Sequence, residues 1–200
     1  MPKVTNGNSK LGISIPSINL PAGITCRPDS PCAKDCYARK GNFAYRPVKE
    51  CYMQNLRDFV KEPDKYFDDI IKFFNQDLAI FRFARWHSSG DIVNDEYLQG
   101  MCRVALKCKQ TKFLCFTKKY ELVNKYLYNG GIIPPNLHIV FSGWDEEWKF
   151  DNPHNLPTAY VRFKNDKRDF SNCKECNNKC YECLKCWKLK NGQSVVFNKH

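Results

Sequence analysis

Apolar positions along this chain alternate between a helical and a strand period, and the switches mark its elements. From residue 46 to 62, Val48, Cys51, Leu56, Phe59 and Val60 recur at helical spacing, and Pro63 closes the run. Pro63 also suits the first turn of a second helix, whose Tyr66, Phe67, Ile70, Ile71, Phe73 and Phe74 make a broad apolar face. Residues 79–86 are few, aromatic and β-prone, which predicts a strand, and His87-Ser88-Ser89-Gly90-Asp91 then reads as a loop. Asn94 is placed to cap a helix opening on Asp95-Glu96, with Leu98, Met101, Cys102, Ala105 and Leu106 on its buried side. Lys112–Thr117 predicts a strand, Tyr120–Tyr128 a helix closed by Gly130-Gly131, and Leu137–Ser142 and residues 158–163 two further strands.

Strands separated by helices imply right-handed βαβ units, so the expected fold class is α/β with a mainly parallel sheet. Residues 1–170 form the expected α/β domain. From Ser171 the composition shifts to Cys, Lys and Asn, which predicts a Cys-rich, metal-bound segment over residues 171–200. Ligands of parallel sheets gather at the carboxyl ends of the strands. Three such ends are polar or reactive here: His87 to Asp91, Thr117-Lys118-Lys119, and Ser142-Gly143-Trp144-Asp145. They point to one site on one edge.

Composition narrows the chemistry. A hydrophobic fraction of 42% with 14% aromatics supports a packed core. The formal net charge of +11 gives a positive surface suited to nucleic acid, an acidic protein or an anionic cofactor, without choosing among them. The first residues carry no apolar signal-peptide core, and the apolar stretch 11–24 is broken by Pro16 and Pro21. No window approaches the roughly 18 apolar residues that span a bilayer. The expected location is therefore the cytosol, that of the host if the chain is phage-encoded, where thiols stay reduced. Twelve cysteines in such a compartment point to metal ligation.

The cysteines fall into groups. Cys26, Cys32 and Cys36 share a loop held by Pro28 and Pro31. Such a loop can wrap an inorganic core, leaving one iron of a [4Fe–4S] cluster for Cys51, another side chain or an exogenous molecule. A zinc site with one remote ligand is the alternative, although the Cys-x-x-Cys knuckle usual in structural zinc is absent there. Cys173, Cys176, Cys180, Cys183 and Cys186 form the second group, in a segment expected to depend on metal for its stability. Two knuckles, Cys173/Cys176 and Cys183/Cys186, read as zinc; Cys180-x2-Cys183-x2-Cys186 reads as the core of a ferredoxin-type run. Five candidates for four ligands leave one cysteine over. Cys102, Cys108 and Cys115 lack ligand spacing and read as buried free thiols.

Cys32-Ala33-Lys34-Asp35-Cys36-Tyr37-Ala38, the strand end Arg85-Trp86-His87-Ser88-Ser89-Gly90-Asp91 and the terminal Cys183-x2-Cys186-Trp187 together resemble the phage gene-product-eighty-eight family. The resemblance runs from about Cys26 to Trp187. More remotely, the order of Cys loop, helix and repeated strand–helix units is similar to the partial (β/α) barrel of radical S-adenosylmethionine enzymes. That resemblance implies a [4Fe–4S] cluster on Cys26, Cys32 and Cys36, with S-adenosylmethionine on the fourth iron. It places Ser88, Ser89, Gly90 and Asp91 at the methionine amine. The Cys spacing is x5 and x3 rather than that superfamily's x3 and x2, and Asp35 stands where an aromatic precedes the third cysteine.

Other positions carry two readings each. His87 is a metal ligand or proton carrier, or else a hydrogen-bonded loop histidine. Arg82 and Arg85 contact phosphate or carboxylate, or line a solvated strand face. Lys118-Lys119 bind an anion or cap a loop, and residues 144–148 form a surface loop with aromatic anchors. The expectation is an iron–sulfur protein with radical-S-adenosylmethionine-like chemistry on an unknown substrate. Its rival is a non-catalytic iron–sulfur or zinc protein that binds nucleic acid or host machinery through its basic surface.

Overall fold

The computed structural model describes residues 2–76 and 81–199. Its framework is an eight-stranded, mostly parallel sheet. Two short strands, β1 (Val4–Thr5) and β2 (Ser17–Ile18), pair antiparallel at one edge. From β2 the sheet runs parallel through β3 (Phe83–Trp86), β4 (Lys112–Thr117), β5 (Leu137–Ser142) and β6 (Thr158–Arg162). It finishes with β8 (Ser194–Asn198) beside β6 and β7 (Cys173–Glu175) at the far edge, both parallel. Apart from β7 and β8, strand order follows chain order, without the reversal that marks a doubly wound sheet.

Helices α1 (Arg46–Lys61) and α2 (Pro63–Phe74) lie between β2 and β3, α3 (Asp95–Lys107) between β3 and β4, and α4 (Tyr120–Tyr128) between β4 and β5. The predicted starts hold for local reasons. Pro63 takes the first turn of α2, and the Asn94 side chain accepts the Tyr97 N–H at 2.9 Å to cap α3. Of the strand predicted over 79–86, Phe83–Trp86 is strand, and residues 79–80 lie outside the described residues.

Strand alternation splits the core into two layers. Ala84, Trp86, Phe113, Cys115, Ile139 and Phe141 point to the helices and pack on Phe59, Tyr66, Phe67, Ile70, Tyr97 and Met101. Their neighbours Leu114, Val140, Ala159 and Val195 point to the other face. That face is covered by Leu11 and Ile15 and by the C-terminal Trp187 and Leu189, all buried. Covering both faces explains why the strands read as nearly continuous apolar runs.

The segment from Ser171 packs on the sheet and contributes to it. Its β8 is a full member of the sheet, and Trp187, 1% exposed, sits on the sheet and donates from Nε1 to Ala84 O at 3.0 Å. The signal that predicts β8 is the turn Asn191-Gly192, with Gly192 at φ +79°, followed by Val195-Val196-Phe197. Among the described residues, no helix is long and apolar enough to cross a membrane.

Candidate metal centre

The site is built where β2 and β3 end. Asn19, buried just after β2, turns its Oδ1 to the loop that follows β3. It accepts Ser88 N at 2.8 Å, Ser89 N at 3.2 Å and the Ser17 hydroxyl at 2.9 Å. Ser88 Oγ meets Ser17 Oγ at 3.0 Å, and Ser89 Oγ donates to Leu20 O at 2.9 Å. Asn55 of α1 reinforces the same corner, donating to Asn19 O and Lys3 O and accepting Lys3 N. Buried polar groups cost free energy unless paired, so this network commits the two loops to one relative position.

Gly90 and Asp91 extend the clamp. Asp91 Oδ1 accepts Thr117 Oγ1 at 2.6 Å and Ile92 N at 2.8 Å, while Oδ2 accepts Lys118 N at 2.9 Å. Burial pushes this carboxyl up, and the Thr117, Lys118 and Ile92 donors pull it back down. A carboxylate offers about four acceptor positions, so one remains, on Oδ2. Gly90 has φ +82°, and a Cβ there would stand 2.7 Å from Leu20 Cβ, Leu20 O and Thr25 Oγ1. Gly90→Ala is therefore expected to destabilise the chain by about 1–3 kcal/mol. Urea unfolding measures that loss, and faster proteolytic nicking between Pro21 and Cys36 would locate it in the Cys loop.

The Cys26–Cys36 loop leaves β2 across this clamp. Cys26, Cys32 and Cys36 are half-buried free thiols. Burial pushes the Cys26 thiol up, the Gly23 N–H at 3.4 Å from its sulfur pulls it down, and Asp91, Cys32 and Cys36 raise it further. Cys32 Sγ lies 3.2 Å from Ser30 Oγ. Tyr37 donates its hydroxyl to Ser88 O at 2.8 Å. That hydroxyl is pushed up by burial, drawn down by Arg85, and raised by Cys36, Cys32 and Cys26. The three loop thiols thus lie near enough to act on one another and on Tyr37, with Asp91 acting on Cys26. Cys51, on α1, is raised by burial and lowered by Lys3, and it acts in turn on Tyr52. Two ion pairs hold the loop from outside, Lys199–Asp35 at 2.8 Å and Arg27–Glu121 at 2.7 Å, and Arg27 also pairs with Asp29 within the loop.

The second group divides. Cys186 is pushed up to about 12 by burial first, then by Cys176 and Cys180, with Arg85 opposing and Cys183 adding. Cys180 is raised by burial and by Cys176 and Cys183, while Arg85 and Lys10 lower it. Cys173 stands apart: burial raises it, and the charges acting on it are Arg162, Glu175, Asp169 and Arg168. The reason is strand geometry. Residues 173–175 are β7, and Cys176 N continues the ladder to Val196 O at 2.9 Å, so Cys173 and Cys176 point to opposite faces. Cys102, Cys108 and Cys115 are buried in the helical layer, as expected. Among the described residues, no group of three or more Cys, His, Asp or Glu side chains is arranged to hold a single metal ion.

His87 belongs to the core. At φ +63° its ring folds into the helical layer, with Nε2 3.2 Å from Tyr97 OH and Nδ1 3.7 Å from Cys115 Sγ. Burial, then Arg85, lowers its pKa to about 3. The folded value lies below the unfolded 6.5, so the unfolded chain binds the proton first as pH falls. Stability should drop by up to about 1.4 kcal/mol per pH unit between about 6.5 and 3. His87→Asn, which tolerates positive φ and does not titrate, should flatten that slope in denaturant unfolding across the window.

The remaining cations are mostly engaged. Lys118 donates to Ser142 Oγ at 2.9 Å and lies over the Trp144 ring. Arg85 stacks over Phe116 at 4.9 Å on the face that carries Cys180 and Cys186. Arg103, Arg162 and Arg168 each pair with carboxylates. Trp148 Nε1 donates to Tyr120 OH, which donates to Ser142 O, so the loop after β5 is anchored to α4.

A family model described as Gene product 88 matches residues 2–189. No protein of curated function and no solved structure matches the chain.

Proposed function

We propose that this chain, which belongs to the phage Gene product 88 family, is an iron–sulfur protein with radical-S-adenosylmethionine-type chemistry. In this reading Cys26, Cys32 and Cys36 hold a [4Fe–4S] cluster, and S-adenosylmethionine completes the fourth iron. The observation that supports it is the grouping of three loop thiols near Asp91 and Tyr37, at the carboxyl end of a parallel strand. The donor set fits a cubane, which takes each thiolate on a different iron and so needs its ligands around a body larger than one ion. The sequential strand order is compatible with a partial barrel.

Such a cluster supplies one electron for reductive cleavage of S-adenosylmethionine, giving a radical that abstracts hydrogen from a substrate. The chain's own residues bind and orient. Asn19, Ser17, Ser88 and Ser89 lock the Cys loop to the sheet. Asp91 ties the ends of β3 and β4 and keeps one acceptor position for an amine. The Gly23 N–H supports the Cys26 sulfur as a ligand.

Anaerobic purification with a visible spectrum, iron and sulfide analysis tests this directly. A brown protein that forms 5′-deoxyadenosine with dithionite and S-adenosylmethionine is expected. A colourless protein carrying zinc alone would overturn the reading, and salt-dependent retention of that protein on nucleic acid would favour the basic-surface alternative.

A further inference from the structure

We infer that Cys176, Cys180, Cys183 and Cys186 form a second, closed thiolate centre for an iron–sulfur cluster, a body larger than one ion, and that Cys173 lies outside it. The inference does not depend on the Cys26 loop.

Four observations carry it. Cys180 and Cys183 share the single turn of α5 (Cys180–Cys183), three residues apart on one face, whereas Cys173 sits on the opposite face of β7 from Cys176. The backbone around the four has the shape of a thiolate-binding turn. Asn178, at φ +62°, aims its N–H at Cys176 Sγ at 3.4 Å, and Leu184, at φ +48°, turns the chain between Cys183 and Cys186. Peptide N–H groups aimed at sulfur stabilise a thiolate, and left-handed residues inside a Cys-x-x spacing let the chain wrap its ligand. The group is also tied to the rest of the fold, since Cys180 N donates to Lys10 O at 2.8 Å and Cys176, Cys180, Leu184 and Cys186 pack on the Leu114, Val140 and Trp187 layer.

Charge is the fourth observation. Four thiolates around an oxidised [4Fe–4S] core leave two negative charges. Lys10, whose carbonyl accepts Cys180 N, and Arg85, stacked over Phe116 on the same face of the sheet, bring positive charge to this side of the fold. A cluster would fasten Cys186 and with it Trp187, which seals the second face of the sheet.

Cysteine-by-cysteine alkylation of the full chain, read by mass spectrometry before and after chelation, tests this. The metal-loaded chain should protect Cys176, Cys180, Cys183 and Cys186, and chelation should release all four together. Cys173 should react at the same rate in both states. Metal protection of Cys173, a member of the four that stays reactive with metal present, or absence of any chelatable metal from these four would overturn the proposal. Cys173→Ser should leave the other four protected, while Cys183→Ser should expose its three partners. A chain carrying Ala at Cys26, Cys32 and Cys36 should still release iron with sulfide, and release of zinc alone would overturn the proposal. Because alkylation reports each thiol separately, a failure at the Cys26 loop is distinguishable from a failure here.

Discussion

Trp187→Ala is expected to destabilise the chain by about 3–5 kcal/mol, a large share of the stability of a domain this size. Trp187 is 1% exposed and fills the face of the sheet opposite the helices, between Leu114, Val140, Ala159 and Val195. Its ring meets Phe83 edge-on at 5.8 Å, and its Nε1 donates to Ala84 O. Truncation would lose the apolar burial, open a cavity beneath the C-terminal segment and orphan a buried donor's partner. Trp187→Phe keeps most of the volume and should cost less, about 1–2 kcal/mol, mainly through the lost hydrogen bond. Denaturant unfolding gives both values. If Trp187→Ala unfolds with the wild-type midpoint, the C-terminal segment does not seal the sheet.

The second large effect is expected at the Cys loop. Cys26→Ala, Cys32→Ala and Cys36→Ala should each lower iron retained on that loop by about 100-fold or more, because a cubane held by three thiolates has no spare protein ligand. Cys102→Ala should retain wild-type iron at the same site, since Cys102 is buried in the helical layer, and Cys51→Ala should do so because the proposed fourth ligand is S-adenosylmethionine. The fold should survive the loop substitutions. The loop thiols are half-buried, and the clamp beneath them is made by Asn19, Ser89 and Asp91. Iron and sulfide analysis, with circular dichroism as the folding control, separates the two classes.

Much of the framework is readable in the sequence because periodicity and caps agree there. Asn94, Pro63 and the apolar faces of α1 to α4 predict helices that the structure contains, and the strands at Lys112–Thr117 and Leu137–Ser142 match. The two-residue strands β1 and β2 are too short to show a period, and their pairing is set by the Asn19 and Asn55 network, which is long-range. The strand β8 was hidden by the lysine- and cysteine-rich composition before it, although its Asn-Gly turn and Val-Val-Phe run were visible. Within the candidate site, spacing groups the loop cysteines but does not separate Cys173 from Cys176. That separation follows from the pleat of β7, which a knuckle reading of Cys-x-x-Cys ignores. His87 looked like a site residue because it ends a strand; its positive φ turns it into the core instead.

The proposed cluster on Cys26, Cys32 and Cys36 would keep one iron for S-adenosylmethionine. Electron paramagnetic resonance of the dithionite-reduced full chain, with and without S-adenosylmethionine, reads that iron. S-adenosylmethionine should shift one cluster signal, and that signal should be absent from Cys32→Ala. A reduced spectrum that S-adenosylmethionine leaves unchanged, or a shifted signal that persists in Cys32→Ala, would overturn the proposal.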